Sequence, residues 1–380
     1  MRGMKNVAVS VRNAIIRAGY RYICKPYFFA RDPELVHNQM ITVGNMLGRV
    51  WLGRALTSLL FNYSHPSLHT TVLGIAFKNP LGLSAGFDKN ADLVGIIPSV
   101  GFGFEEVGSI TGEYCPGNPK PRMWRLLKSK SLVIYYGLNN RGCVVLGQQL
   151  RRALFRIPVG TSIAMTNCAA NLDRAHGIKD FAKAFRELAD VGAYTTVNIS
   201  CPNAQGGQPF VDSGALEALL TELDKIPTNK PVLIKLSPDL TFAQVDTLLD
   251  IAKAHRVHGV ICTNLTKPRD NKAVVDDLAN IPAVGGLSGA PTKELSDALI
   301  AHVYTREQGK CIIVGVGGIS TAEDAYRKIR LGASLLQMIT GMIFEGPQVV
   351  SEINQGLARL LARDGFTHVS QAVGVDVPLR

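Results

Sequence analysis

The chain has no CxxC pair. Its seven cysteines stand apart, at positions 24, 115, 143, 168, 201, 262 and 311. Zinc ribbons and iron–sulfur clusters therefore lack their ligand spacing, and we expect no metal. The odd, scattered set also argues against a disulfide framework and for reduced thiols. Charged residues make up 19% of the chain against 46% hydrophobic, which excludes general disorder. No GxGxxG turn follows an early strand, so a dinucleotide-binding doubly wound sheet loses its signature. The first 31 residues contain no acid at all.

That acid-free segment holds seven bases, Arg2, Lys5, Arg12, Arg17, Arg21, Lys25 and Arg31, with Tyr20, Tyr22, Tyr27, Phe28 and Phe29 interleaved. It has no run of the roughly 20 apolar residues that span a bilayer. Such a segment suits an anionic membrane surface or a targeting peptide. The net charge of +11 also admits nucleic acid. No RNA- or DNA-binding motif accompanies it, so we expect no such partner.

Asp32-Pro33-Glu34 has the order of a helix start: an N-cap, proline in the first turn, then an acid at the positive end of the dipole. After it Val36, Met40, Val43, Leu47 and Val50 recur at steps of four and three, an apolar stripe on one face. The stripe can pack on a main domain. It can also form, with a second helix, a greasy entrance for a lipid-soluble partner. The two readings are compatible.

From about residue 71 short apolar runs alternate with amphipathic stretches. Expected strands are 81–86, 104–109, 162–167, 194–200, 232–237, 259–264, 312–318 and 335–340, with helices between them such as 181–191 and 242–255. Eight such units over about 300 residues predict a (β/α)₈ TIM barrel. Residues 1–70 form an N-terminal helical extension, and 71–380 the barrel.

Polar and small residues gather where these runs end. In a barrel those ends share one rim, where active sites form. The stretch Val197-Asn198-Ile199-Ser200-Cys201-Pro202-Asn203 is then the mouth end of the fourth strand. Gly285–Gly289, Val316–Ile319 and Thr340-Gly341 are glycine-rich and late in the chain, as in a phosphate site. Lys235 sits inside an apolar strand and needs an anionic partner, either a structural ion pair or a cofactor. Lys89 is a second candidate cation, or a solvated loop lysine. Cys201 is open to two readings: an inert buried thiol, or a base, which needs thiolate character. Asn198 and Asn203 need hydrogen-bond partners that a ligand's carbonyl and N–H edges would supply.

Several pieces together resemble the dihydroorotate dehydrogenases: NPLGLSAGFDKN (79–90), GFGFEEVGSIT (101–111), PGNPKPRMWRL (116–126), VNISCPN (197–203), IKLSPDL (234–240), TNLT (263–266), GGLSG (285–289), VGVGGI (314–319) and ITGMIFEGP (339–347). The N-terminal extension and the ending DGFTHVSQAVGVD (364–376) resemble the quinone-linked class 2 branch. The resemblance implies FMN as cofactor and oxidation of dihydroorotate to orotate, a step of pyrimidine biosynthesis. It places the base at Cys201, substrate contacts at Lys89, Asn198, Asn203 and Asn264, and FMN contacts at Ala85, Gly86, Ser109, Asn198, Lys235, Thr263, Gly289, Gly318 and Thr340. It further implies a membrane quinone arriving between the N-terminal helices. The protein would then be peripheral on a bacterial inner membrane, at its cytoplasmic face, or on a mitochondrial inner membrane.

The chain departs from the family pattern in places. The base is Cys201 where class 2 members usually have serine. Ile134 stands where an asparagine binds substrate, and Leu265 where Thr or Ser is usual. Leu138 replaces a phenylalanine, Ile339 a tyrosine, and Met165 an asparagine of the third strand. A ligand atom left unpaired costs on the order of 1–3 kcal/mol, so the substrate side is the less well kept. Two alternatives follow: a related FMN oxidoreductase for a less polar ring, or a non-catalytic flavin-binding relative.

Overall fold

The computed structural model describes residues 2–277, 279 and 281–378. Side chains are described from Val7 onward, so those of Arg2 and Lys5 lie outside the described part.

Four helices open the chain: α1 (Arg2–Gly19), α2 (Lys25–Phe29), α3 (Pro33–Arg49) and α4 (Trp51–Phe61). Helix α3 begins as its sequence dictates. The Asp32 side chain accepts the Leu35 N–H at 2.8 Å, and Pro33 takes the first turn. Val50, in an extended conformation, breaks α3 from α4. The predicted stripe divides by exposure: Val36 is buried, whereas Val43, Leu47 and Val50 stay exposed. Among the described residues no helix is long and apolar enough to cross a membrane.

Eight parallel strands close into a barrel in chain order: β1 (Leu81–Leu83), β2 (Phe104–Thr111), β3 (Val159–Ala164), β4 (Tyr194–Asn198), β5 (Val232–Leu236), β6 (Gly259–Cys262), β7 (Ile312–Val316) and β8 (Leu335–Met338). The register pairs Leu336 with Leu81 to close it. Most strands end a few residues sooner than the apolar runs, because their last residues turn outward to make the rim. The third strand is displaced, running 159–164 rather than 162–167. Asp180 causes this by taking the Thr166 N–H at 2.6 Å and the Thr166 hydroxyl at 2.8 Å, which bends residues 165–167 into a loop. The two helices named from the sequence form at Arg174–Leu188, earlier than expected, and Phe242–Ala254.

The barrel interior changes character along its axis. Its base is apolar, filled by Phe104, Leu233, Ile261, Val314 and Leu335 with the Tyr194 ring. Above them Glu106 accepts hydrogen bonds from Tyr194, Thr196 and Gln337 at 3.0–3.1 Å. Higher still, register places Asn198 beside Lys235. A small sheet that sequence periodicity did not predict roofs the mouth. Met123–Leu126 pairs with Ser131–Ile134, and Gly286–Leu287 adds to its edge.

Candidate active site

The rim residues open on one cavity of about 580 Å³. One end is the barrel mouth, with Ser84, Asn198, Lys235 and Thr263. The other is apolar and lies under the N-terminal helices, lined by Phe28, Val36, Met40, Val43, Leu47 and Phe61. All thirteen candidates border it: Ala85, Gly86, Lys89, Ser109, Asn198, Cys201, Asn203, Lys235, Thr263, Asn264, Gly289, Gly318 and Thr340.

The amides are held by each other and by hydroxyls. Asn198 Nδ2 donates to Ser109 Oγ at 2.9 Å, and Ser109 Oγ meets Ser162 Oγ at 2.8 Å. Asn198 Oδ1 accepts from the Ser200 N–H, the Ser200 hydroxyl and Asn264 Nδ2 at 3.0–3.3 Å. Asn264 Nδ2 also donates to Ser200 O at 3.0 Å, and Asn203 Nδ2 to Ile134 O at 2.8 Å. A network satisfied in this way fixes each amide's orientation.

Lys235 is buried, with a single 3.4 Å hydrogen bond to Ser84 Oγ among the described residues. Burial pushes its amine down, and Glu106 and Cys201 oppose that. A buried ammonium so thinly partnered is a site for an anionic ligand. At the late-strand side the wall approaches very closely. Gly289 and Gly318 both have positive φ, and a Cβ there would collide with the Lys130 carbonyl and the Lys293 side chain respectively. Thr340 Oγ1 donates to Ser288 Oγ at 2.8 Å beside them. This cradle suits a phosphate, and the amine at 235 suits an electron-rich ring edge.

Cys201 borders the same compartment as Lys235. Burial pushes its thiol up, while the Asn203 and Ala204 N–H groups and Lys235 act against it. Lys89 Nζ sits 4.0 Å from the Tyr136 ring centre and 3.2 Å from His37 Nε2 on α3. Burial, then the Arg122 charge, push Lys89 down to about 8. Burial and the Lys89 charge hold His37 well below its ordinary value, so it is neutral and accepts. Arg122, 4.9 Å from the Tyr136 ring centre, forms a bidentate pair with Glu34 of α3 at 2.8–3.2 Å.

The family described as dihydroorotate dehydrogenase matches residues 67–361. A protein of Gloeobacter violaceus named dihydroorotate dehydrogenase (quinone) is 38% identical over 354 residues, 93% of this chain and 98% of its own. One of Natronomonas pharaonis with the same name is 38% identical over 362 residues, covering 94% of this chain and all of its own. The ligand-free Eimeria tenella dihydroorotate dehydrogenase superimposes with a TM-score of 0.81 at 29% identity, over 91% of this chain and 99% of that one. Its complex with ferulenol gives 0.79 at the same identity and share of this chain, and 96% of that chain. This chain belongs to the dihydroorotate dehydrogenase family.

Several residues that brace the cavity wall were passed over by sequence reasoning. Ser200 is fully buried and ties Asn198 to Asn264. Its signal was present inside VNISCPN, in a hydroxyl between two asparagines. Asn118 donates to Asn203 O at 3.0 Å and accepts from Asn167 at 2.9 Å, which links the loop before the roof to the 197–203 segment. His37 and Tyr136 meet Lys89 only through the fold, and no local pattern marks them.

Proposed function

We propose that this chain oxidises dihydroorotate to orotate on a bound FMN and hands the electrons to a quinone. The observation that carries the reading is the two-ended cavity, polar and anion-seeking at the barrel mouth and apolar beneath α2–α4. FMN, when bound, would supply the hydride acceptor and the onward two-electron transfer. Gly289, Gly318 and Thr340 would hold its phosphate, Ala85, Gly86, Ser109 and Thr263 its ring and chain, and Asn198 and Lys235 its polar edge.

The protein's own groups do the rest. Lys89 receives the substrate carboxylate. Asn198, Asn203 and Asn264 present fixed amides to the ring's carbonyl and N–H edges. Cys201 takes a proton from one ring carbon as the neighbouring carbon gives up its hydrogen with the electron pair, leaving a C=C bond. Lys235 and the cluster around Ser200 keep that side of the cavity set before substrate arrives, so little reorganisation is needed. Ile134 and Leu265 make the facing wall apolar.

Residues 1–70 would serve the quinone side. Tyr22, Ile23, Met46, Trp51, Leu52 and Leu59 are exposed on or beside these helices, next to Arg12, Arg17 and Arg21, which fits peripheral membrane attachment.

The test is anaerobic. Dihydroorotate should bleach the yellow of the bound flavin, and an added quinone should restore it. No bleaching at millimolar dihydroorotate would overturn the reading.

A further inference from the structure

Glu105 has no role in that scheme, yet it is buried where an acid costs most. On β2 its neighbours Phe104 and Glu106 point into the barrel. Glu105 points out, beneath the turn at 84–93 that carries Gly86 and Lys89. It is 0% exposed, and Asp88 is 1% exposed. Neither Glu105 oxygen receives an N–H or an O–H from any described residue.

The group it meets is the Asp88 carboxyl. Asp88 is differently served. Its Oδ1 accepts the Asp92 N–H at 2.8 Å, and its Oδ2 the Leu93 N–H at 2.7 Å. Two touching buried carboxyls cannot both be ionised. One proton must stay, and it belongs on the partner without donors, because donors stabilise the charged form.

We infer that Glu105 is a neutral carboxylic acid whose O–H, donated to Asp88, pins the 84–93 turn to β2 and so positions Lys89 for the substrate. The inference rests on the reading above that Lys89 meets the substrate carboxylate. The backbone shows what the pin holds. Asp88 O accepts the Gly108 N–H at 3.0 Å, and Gly108 O accepts the Gly86 N–H at 2.7 Å. Both bonds tie the turn to Gly108, three residues beyond Glu105 on the same strand.

The electrostatics agree. Burial, then the charge of Asp88, hold Glu105 well above the ordinary carboxylate range. Burial pushes Asp88 up to about 6, against the pull of its two N–H partners and of Glu105. The other groups nearby do not rescue a second charge. Asp92 is also acidic and is already matched by Arg141 at 2.7 Å. Tyr194, on β4, is itself pushed up, first by burial. Lys89 feels Asp88 but turns into the cavity. Loss of the Glu105 proton would set two like charges face to face and pry the turn from the strand.

The test reads the proton first. Holoenzyme labelled with ¹³C at glutamate carboxyl carbons should show one resonance at the protonated position at pH 7, moving only on strong alkalinisation. It should vanish in Glu105→Gln. This answer does not depend on turnover, so it survives a failure of the substrate assignment. The second readout is kinetic. Glu105→Leu, which fills the space without a donor, should raise KM for dihydroorotate at least tenfold with kcat within about threefold. Glu105→Gln, whose amide can donate in the same place, should restore KM to within about threefold of wild type at pH 7. A spectrum with every glutamate ionised at pH 7 overturns the proton. An unchanged KM in folded Glu105→Leu overturns the positioning role.

Discussion

Replacing Cys201 by alanine is the sharpest probe of the chemistry. A positioned general base contributes about 10²- to 10⁴-fold, so Cys201→Ala should slow flavin bleaching by that factor at pH 7 while leaving the yellow chromophore bound. The wild-type pH profile carries a second, independent magnitude. Burial raises the Cys201 thiol, and the Asn203 and Ala204 N–H groups with Lys235 offset this only in part. Even an ordinary cysteine is ionised in only about 3 of 100 molecules at pH 7, and this one is ionised less. The bleaching rate at saturating dihydroorotate should therefore climb about tenfold per pH unit between about pH 6 and 8. Saturation matters, because Lys89 loses its charge in the same range and would otherwise mask the climb. Anaerobic stopped-flow absorbance gives the rate directly. A flat profile, or a Cys201→Ala rate within tenfold of wild type, refutes the thiol as base.

Lys89 should impose the opposite trend on capture of substrate. Its amine, pushed down to about 8, is charged below that pH and neutral above it, so attraction for a carboxylate is present at low pH and fades as pH rises. The ratio of wild-type to Lys89→Arg kcat/KM should fall above pH 8. Lys89→Gln should lose roughly 10- to 150-fold below pH 8, the worth of about 1.5–3 kcal/mol for a charged hydrogen bond, and less above it. Arg122→Ala should cost about 3 kcal/mol in thermal unfolding, the low end for a broken buried pair, since Lys120 still faces Glu34 at 3.3 Å. Burial pushes the Glu34 carboxyl up, but Arg122 and Lys120 outweigh it and hold the folded value down. Its share of stability is therefore full above the ordinary carboxylate range and lost on acidification through the lowered value.

The barrel was legible because each strand is a short apolar run with a helix behind it, and the site because polar residues such as Asn198, Lys235 and Thr263 interrupt those runs at the same end. What escaped was set by contacts between distant segments. The roofing strands 123–126 and 131–134 are too short to show a period. The third strand was misplaced by three residues because Asp180, on the next helix, decides where it stops. Lys89 looked like a loop lysine or a ligand; that it faces His37 and Tyr136 depends on α3 folding over the mouth. Glu105 reads in sequence as one more charge in GFGFEEVGS, and only burial against Asp88 shows that it cannot carry one.

The Glu34–Arg122 clamp has a mechanical consequence. Helix α3 is riveted at its root by a charge that cannot be withdrawn without stranding its partner in a dry place. Its far end is tied once more, where Asn45 Nδ2 donates to Asp92 O at 2.8 Å and Gly48 packs closely on Gly95, while Val43, Met46 and Leu47 stay exposed. The helix is therefore held at both ends, and what remains free to move is its exposed apolar side chains rather than its axis. A bulky hydrophobic guest at the Leu47 end should turn aside side chains and not the helix, leaving the charged root, and with it Tyr136 and Lys89, undisturbed.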